Sequence, residues 1–411
     1  MTKAVLRSMV LSSAVLCLTL GVVVNALAQD VGIDPGGAGL FRAKNPETKK
    51  SAKPAAGTKP PSRTTGSTRP PRSNVTERVE ELLDKGNEAR DARRFVEAED
   101  AYKEVLKLKA RDARAAYGLG NVYSDQQRWV DAEAAYRNSV TWAPTNADAY
   151  TALSVVLVQP RADGDNAKRF ADAEAFARKS VQIDPKNAMG WDRLGVALQA
   201  RGLANSETEH SYRRAIELDP QFAVAYAHLA RVLNRNGKYT EAAPLYDKAI
   251  ELAKDPATLN LIADSLQGEQ LWPQSEPVLR KALDLDRTNL TSLFLMGRYL
   301  VVYKRYQEAE PYLKSATEIS SRAFQPFNLL ARVYLGMDRF SDAEATYERA
   351  SALAGEGEKK QLAGLFGFEG VGDGYLKSNQ KANAVRAYQR ALELDPNNNG
   401  AAQKLARARA N

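Results

Sequence analysis

The chain has 411 residues, an apolar share of 44%, a charged share of 26% and a formal net charge of +8. That length exceeds one ordinary core and calls for several domains or a repeat array, and the composition excludes wholesale disorder and a polytopic membrane protein. One cysteine, Cys17, and two separate histidines, His210 and His228, exclude a disulfide framework and a Cys/His metal site, and the histidines read as surface or packing residues.

Residues 1–28 read as an export signal. Lys3 and Arg7 precede an apolar run over residues 9–24, and Ala26-Leu27-Ala28 supplies small residues for cleavage before Gln29. The alternative is an uncleaved membrane anchor, because the run from Met9 to Leu27 is nearly long enough to span. Either way the chain is expected in a periplasmic or extracellular compartment. Residues 29–75 are rich in Gly, Pro, Lys, Ser and Thr with few large apolar side chains, which predicts a flexible basic linker. Nine positive residues there face three negative ones, and with Lys3 and Arg7 they account for the whole positive excess. The rest of the chain is formally neutral, so no nucleic-acid binding is expected; the linker alone is a candidate for peripheral contact with an anionic surface.

From Val79 onward one pattern recurs. A small residue opens the second half of each unit at Ala98, Ala132, Ala173, Thr208, Ala242, Ser275, Ala309, Ala343 and Ala384, mostly 33–35 residues apart. Four residues later stands Tyr or Leu in most units, among them Tyr102, Tyr136, Tyr212, Leu279, Leu313, Tyr347 and Tyr388. An upstream small series runs through Gly86, Gly120, Ser154, Gly195, Ala230, Ala263, Gly297, Ala331 and Gly372, usually twelve residues before the first. Two helices approach closely only where both present short side chains, so each unit reads as a helix pair whose exposed apolar face is covered by the next pair. Two units depart from the spacing. About seven extra residues near 159–165 predict a protruding loop, and about seven near 358–364 predict a lengthened helix before the last unit. Pro244, Pro277 and Pro311 each follow an opening small residue by two and are expected in or beside the first turn of a second helix. Residues 399–411 predict a polar-faced capping helix.

This pattern resembles the tetratricopeptide repeat family, whose period is 34 residues. Trp191-Asp-Arg-Leu-Gly195, Gly237-Lys-Tyr-Thr-Glu-Ala242 and the endings Ile183-Asp-Pro185, Leu218-Asp-Pro220 and Leu394-Asp-Pro396 carry the resemblance. It implies an all-α, right-handed superhelical solenoid of nine repeats over residues 76–398, and a protein-binding scaffold rather than an enzyme.

No site for a cofactor is expected: the glycines of residues 367–374 fall within a helix of the last unit instead of following a strand. In the family the first helices line the inside of the superhelix and take peptides. Arg231, Arg298 and Arg332 each follow the small residue of a first helix, Asn260 and Asn328 lie one turn before it, and Asn234 is nearby. These six make a candidate inner face for acidic segments or a C-terminal carboxylate of a protein or peptide partner, with internal pairing to residues such as Asp264 as the alternative. Asn87 and Asn121 occur at the same register in the first two units, but without the lysine of the carboxylate-clamp pattern. Self-association and envelope-polymer binding through the basic linker are the competing functions.

Overall fold

The structure, a computed structural model, describes residues 43–48, 72–159, 161 and 165–410. The expected export signal and most of the linker lie outside the described residues. Among the described residues every regular element is a helix, and none is long and apolar enough to cross a membrane.

The helices belong to two compact units, one ending at Asn236 and the other beginning at Gly237. The first holds α1 (Arg72–Asp91), α2 (Phe95–Leu108), α3 (Ala113–Asp125), α4 (Trp129–Trp142), α5 (Ala147–Leu157), α6 (Asn166–Ile183), α7 (Ala188–Ala200), α8 (Ser206–Leu218) and α9 (Ala223–Arg235). The second holds α10 (Tyr239–Leu252), α11 (Pro256–Gly268), α12 (Trp272–Leu285), α13 (Leu290–Val302), α14 (Tyr306–Ile319), α15 (Phe324–Gly336), α16 (Phe340–Ser351), α17 (Glu356–Ala363), α18 (Phe368–Lys377), α19 (Lys381–Leu394) and α20 (Asn399–Ala410). The repeat architecture expected from the spacing is therefore present, with α17 and α20 added to the helix pairs. The first helix starts at Arg72, four residues before the expected boundary at 76.

Local chemistry sets the helix ends. Asp112, Asn146 and Asn187 cap α3, α5 and α7 by accepting backbone N–H bonds from the first turn, and Asp255 and Asn289 do the same for α11 and α13. At the Asp-Pro endings Asp184 and Asp219 accept the N–H of the residue two further on at 3.0 Å, closing the turn that a proline favours. Within most pairs the two helices meet at one residue of positive φ, such as Arg93 at 57° or Gln127 at 58°, and the following N–H donates back to the preceding helix.

The small residues do what their spacing predicts. A Cβ on Gly86 of α1 would lie 2.6 Å from the ring of Tyr102 on α2, and one on Gly118 of α3 would lie 2.5 Å from the same ring. Tyr102 thus seats between two successive first helices. Gly120 and Tyr136, Gly195 and Tyr212, Gly297 and Leu313, and Gly372 and Tyr388 repeat the contact at 2.5 Å.

Two expectations need correction, and a third, the protruding loop near 159–165, lies largely outside the described residues. The helices α10, α12 and α14 start three residues before their small residues, so Pro244, Pro277 and Pro311 are sixth in them, beyond the first turn. Each removes one helical hydrogen bond, and the carbonyls left over, on Thr240, Pro273 and Gln307, belong to solvent-exposed residues that water can serve. The extra residues near 358–364 form the separate helix α17 between Gly355 and Gly364 instead of lengthening a neighbour. Of the first insertion, residues 160 and 162–164 lie outside the described residues; Arg161 is tied back to Glu133 at 2.8 Å and to the Trp129 carbonyl at 3.1 Å. Part of the added length goes into α6, which runs to 18 residues. The capping helix is as expected: α20 turns Ala401, Leu405 and Ala408 inward, and Lys404 reaches Glu369 and Asp373 at 2.8 and 2.6 Å.

The ring contacts are testable by substitution. Gly120→Ala is expected to lower stability by about 1–3 kcal/mol in urea unfolding through overpacking. Gly357→Ala, where a Cβ meets nothing within 4 Å, is expected to raise it by about 0.5–1 kcal/mol through helix propensity alone. Pro311→Ala restores a helical N–H donor on an exposed face and is expected to add about 1–3 kcal/mol, read as a higher urea midpoint.

Candidate functional site

The residue after the small position of each first helix is the one on which the candidate site turns, and in the first unit the structure shows what it faces. Residues 43–48 lie across α1 and α3 as a stretch without regular secondary structure. Asn87 donates to the Pro46 carbonyl at 3.1 Å, and Asn121, 34 residues on, donates to the Lys44 carbonyl at 2.9 Å. Arg90 donates to the Ala43 carbonyl at 2.7 Å and to the Asn45 side chain at 2.9 Å, and Arg114 donates to the Glu47 carbonyl at 3.2 Å. Asn45 in turn donates to Asp91 at 2.9 Å. Ala43 and Pro46 are buried while Lys44 and Glu47 point outward.

The gripping groups are fixed from behind. The hydroxyls of Tyr102 and Tyr136 donate to the side-chain oxygens of Asn87 and Asn121, each at 2.8 Å, which turns both amide N–H groups toward the segment. Arg90, 1% exposed, forms a bidentate pair with Asp125 at 2.7 and 3.1 Å, leaving one nitrogen for the segment. The same tyrosine rings that close the helix pairs therefore orient the groove.

The six residues singled out in the sequence divide between the units. Arg231 and Asn234 lie on α9 of the first; Asn260, Arg298, Asn328 and Arg332 lie on α11, α13 and α15 of the second. Arg298 is 5% exposed and is bonded to Asp264 at 2.6 Å and Gln267 at 2.7 Å, the internal pairing held open above. Asn260 joins α11 to the cap of α13, donating to Asn289 at 2.9 Å and accepting from Ser292 at 2.8 Å. Arg332 is half-buried, with its guanidinium 4.9 Å from the centre of the exposed Phe366 ring. Asn234 and Asn328 are buried. Both histidines pack: His228 lies 2.9 Å from the buried Asp192 and against the Tyr212 ring, and His210 meets Trp191 edge-on. Burial works to raise the Asp192 pKa, but His228 and Arg193 bring it below the ordinary value.

Sequence reasoning missed the strength of Asn87 and Asn121 and the roles of Arg90 and Arg114. The signal available was the pairing of each asparagine with a tyrosine fifteen residues later.

A second pattern went unread. The residue after the small position of the second helix is glutamate at Glu99, Glu133, Glu174, Glu276 and Glu310, and each takes one base from its own helix and one from the next hairpin turn. Glu99 meets Lys103 and Arg128 at 2.6 and 3.0 Å, Glu276 meets Arg280 and Arg305 at 2.5 and 3.0 Å, and Glu310 meets Lys314 and Arg339 at 2.7 and 2.9 Å. Glu133 binds Arg137 and Arg161, and Glu174 binds Arg178 and Arg201. These carboxylates join one pair to the next. Among the described residues no group of three or more potential metal ligands comes together.

Models of the tetratricopeptide repeat match residues 83–150, 211–243, 327–361 and 367–398. No curated protein sequence matches the chain. Among solved structures, the chain is similar to the MamA protein at 23% identity over 43% of this chain and 92% of that one, with a TM-score of 0.37. It is similar to YrrB, described as a TPR protein with an unusual peptide-binding site, at 18% identity over 49% and 97%, with a TM-score of 0.38. The APC/C hetero-tetramer Cut9-Hcn1 matches at 13% identity over 82% and 87%, with a TM-score of 0.39.

Acid should act on the glutamate series in a defined direction. Burial works to raise the Glu276 pKa, but hydrogen bonds from Tyr299, Arg280 and Arg305 bring it from 4.5 to about 2. A folded pKa below the unfolded one gives stability that is present above pH 4.5 and is lost as pH falls toward 2. Glu276→Gln is expected to cost about 1–2 kcal/mol at pH 7, allowing for partial exposure, and almost nothing near pH 2, read from urea midpoints at both pH values.

Proposed function

Because the chain belongs to the tetratricopeptide repeat family, we propose that it is an exported protein-interaction scaffold or assembly factor that holds partner segments on the inner faces of its first helices. The observation that carries this reading is the irregular stretch at residues 43–48, gripped by Asn87 and Asn121 through its main-chain carbonyls. Contacts to carbonyls are available from any extended chain, so affinity builds from repeated backbone bonds while neighbouring side chains set preference. Arg231 in the first unit and Arg332 in the second each occupy the equivalent register of their own repeat and are each assigned to acidic side chains or a terminal carboxylate, with Asn234 and Asn328 on the same helices. In the second unit Arg298 and Asn260 are bonded to neighbouring side chains and shape the helix faces there. Export rests on Lys3, Arg7, the apolar run and Ala26-Leu27-Ala28. No catalytic role is part of the proposal.

The test is a pull-down from native envelope or secreted extract with the full chain as bait, beside the same chain carrying Arg231→Glu and Arg332→Glu. The expected outcome is a partner retained by the wild type and depleted at least tenfold by a variant of unchanged helical content. Equal retention by both sinks the basic contacts, and retention by neither sinks the scaffold reading in that compartment. N-terminal sequencing of the mature protein tests export, with Gln29 as the expected first residue.

A further inference from the structure

The stretch on α1 and α3 comes from the chain itself, and its contacts are those of a bound ligand. Among the described residues four main-chain contacts run from side chains to its carbonyls: Arg90 to Ala43, Asn121 to Lys44, Asn87 to Pro46 and Arg114 to Glu47. Side-chain recognition is concentrated on three residues. The Ala43 methyl joins the hydrophobic cluster of the first unit, the Asn45 amide bridges Arg90 and Asp91, and Pro46 is buried. Lys44 and Glu47 point away and contribute little beyond their carbonyls.

We propose that residues 43–48 are an intramolecular pseudo-ligand, which occupies the groove of Asn87, Arg90, Arg114 and Asn121 and competes there with an extended partner peptide carrying a small residue, any residue, asparagine and proline in succession. This rests on the scaffold reading and adds to it which groove is used, what peptide it takes and what keeps it closed. The segment is joined to α1 through residues 49–71, and a tether of that order sets a local concentration on the order of millimolar. A free peptide of the same sequence is therefore excluded at micromolar concentration, whereas a partner with added contacts elsewhere on the repeats can displace the segment. Proline lowers the freedom lost on binding, and the asparagine must satisfy both an arginine donor and an aspartate acceptor, so the site discriminates by pairing as well as by shape.

The experiment uses two full-length chains, wild type and Asn45→Ala/Pro46→Ala, and two fluorescent peptides spanning residues 42–49, one native and one with the same two changes. Both substitutions fall outside the helices, so the repeats keep their fold, which circular dichroism checks. The expected result is that the native peptide binds the altered chain at least tenfold more tightly than the wild type, while the altered peptide binds the altered chain at least tenfold more weakly than the native one does. Equal affinity of the native peptide for both chains overturns the competition. Equal binding of the two peptides overturns recognition through Asn45 and Pro46, and absence of binding to either chain overturns the groove as a peptide site. None of these failures bears on partner capture through Arg231 and Arg332, which the pull-down reads separately.

Discussion

The structure depends on an aromatic ring pressed against a backbone that lacks a side chain. Tyr102 lies where a Cβ on Gly86 or on Gly118 would stand at 2.6 or 2.5 Å, so one ring fixes the distance within its own helix pair and to the next. The contact within a pair, repeated at Gly120, Gly195, Gly297 and Gly372, explains why the small residues recur at fixed spacing. A methyl group on Gly86 or Gly118 would push two helices apart at once, and close-packed interiors relax such displacements only in part. Where leucine replaces tyrosine, as at Leu313 opposite Gly297, the approach is equally close but carries no hydroxyl. Packing is thus common to the repeats, and the polar end of the ring is what differs among them.

In the first two pairs that polar end reaches the groove. The hydroxyls of Tyr102 and Tyr136 hold Asn87 and Asn121 with their N–H groups outward. In the last pair the Tyr388 hydroxyl donates instead to Asp373, which also binds Lys404 of the capping helix. One register position therefore serves two ends: where it is asparagine it takes a passing chain, and where it is aspartate it secures the cap. Arg298 shows a third use, bracing α13 against Asp264 and Gln267 of α11.

Much of the fold was legible because its signals are steric. Gly86, Tyr102 and their equivalents recur because one helix must present a short side chain where the other presents a large one, and the Asp-Pro endings recur because they close turns. The depth of Pro244, Pro277 and Pro311 was misjudged because the small residue marks the closest approach of two helices, which falls three residues inside the second helix. The break before α17 follows from glycines at 355 and 364, which a count of inserted residues does not weigh. The docked stretch was hidden for a different reason. Most of its bonds are made by carbonyls, which every residue carries, so composition shows only a polar, proline-bearing linker. Its counterpart was more visible than it was made to be, since Asn87, Asn121 and their tyrosines keep one spacing.

The paired carboxylates bear on how the array responds to force. Glu276 and Glu310 each link a base of their own helix to one in the following turn, across a seam otherwise closed by apolar contact. The apolar contacts resist separation but tolerate small sliding, whereas a two-base rung resists the sliding itself. The rungs are part-exposed, so dissolved ions weaken them while leaving the apolar seams nearly unchanged. The elastic stiffness within each unit is accordingly a function of ionic strength, and a more saline surrounding gives a more compliant array built from unaltered helix pairs.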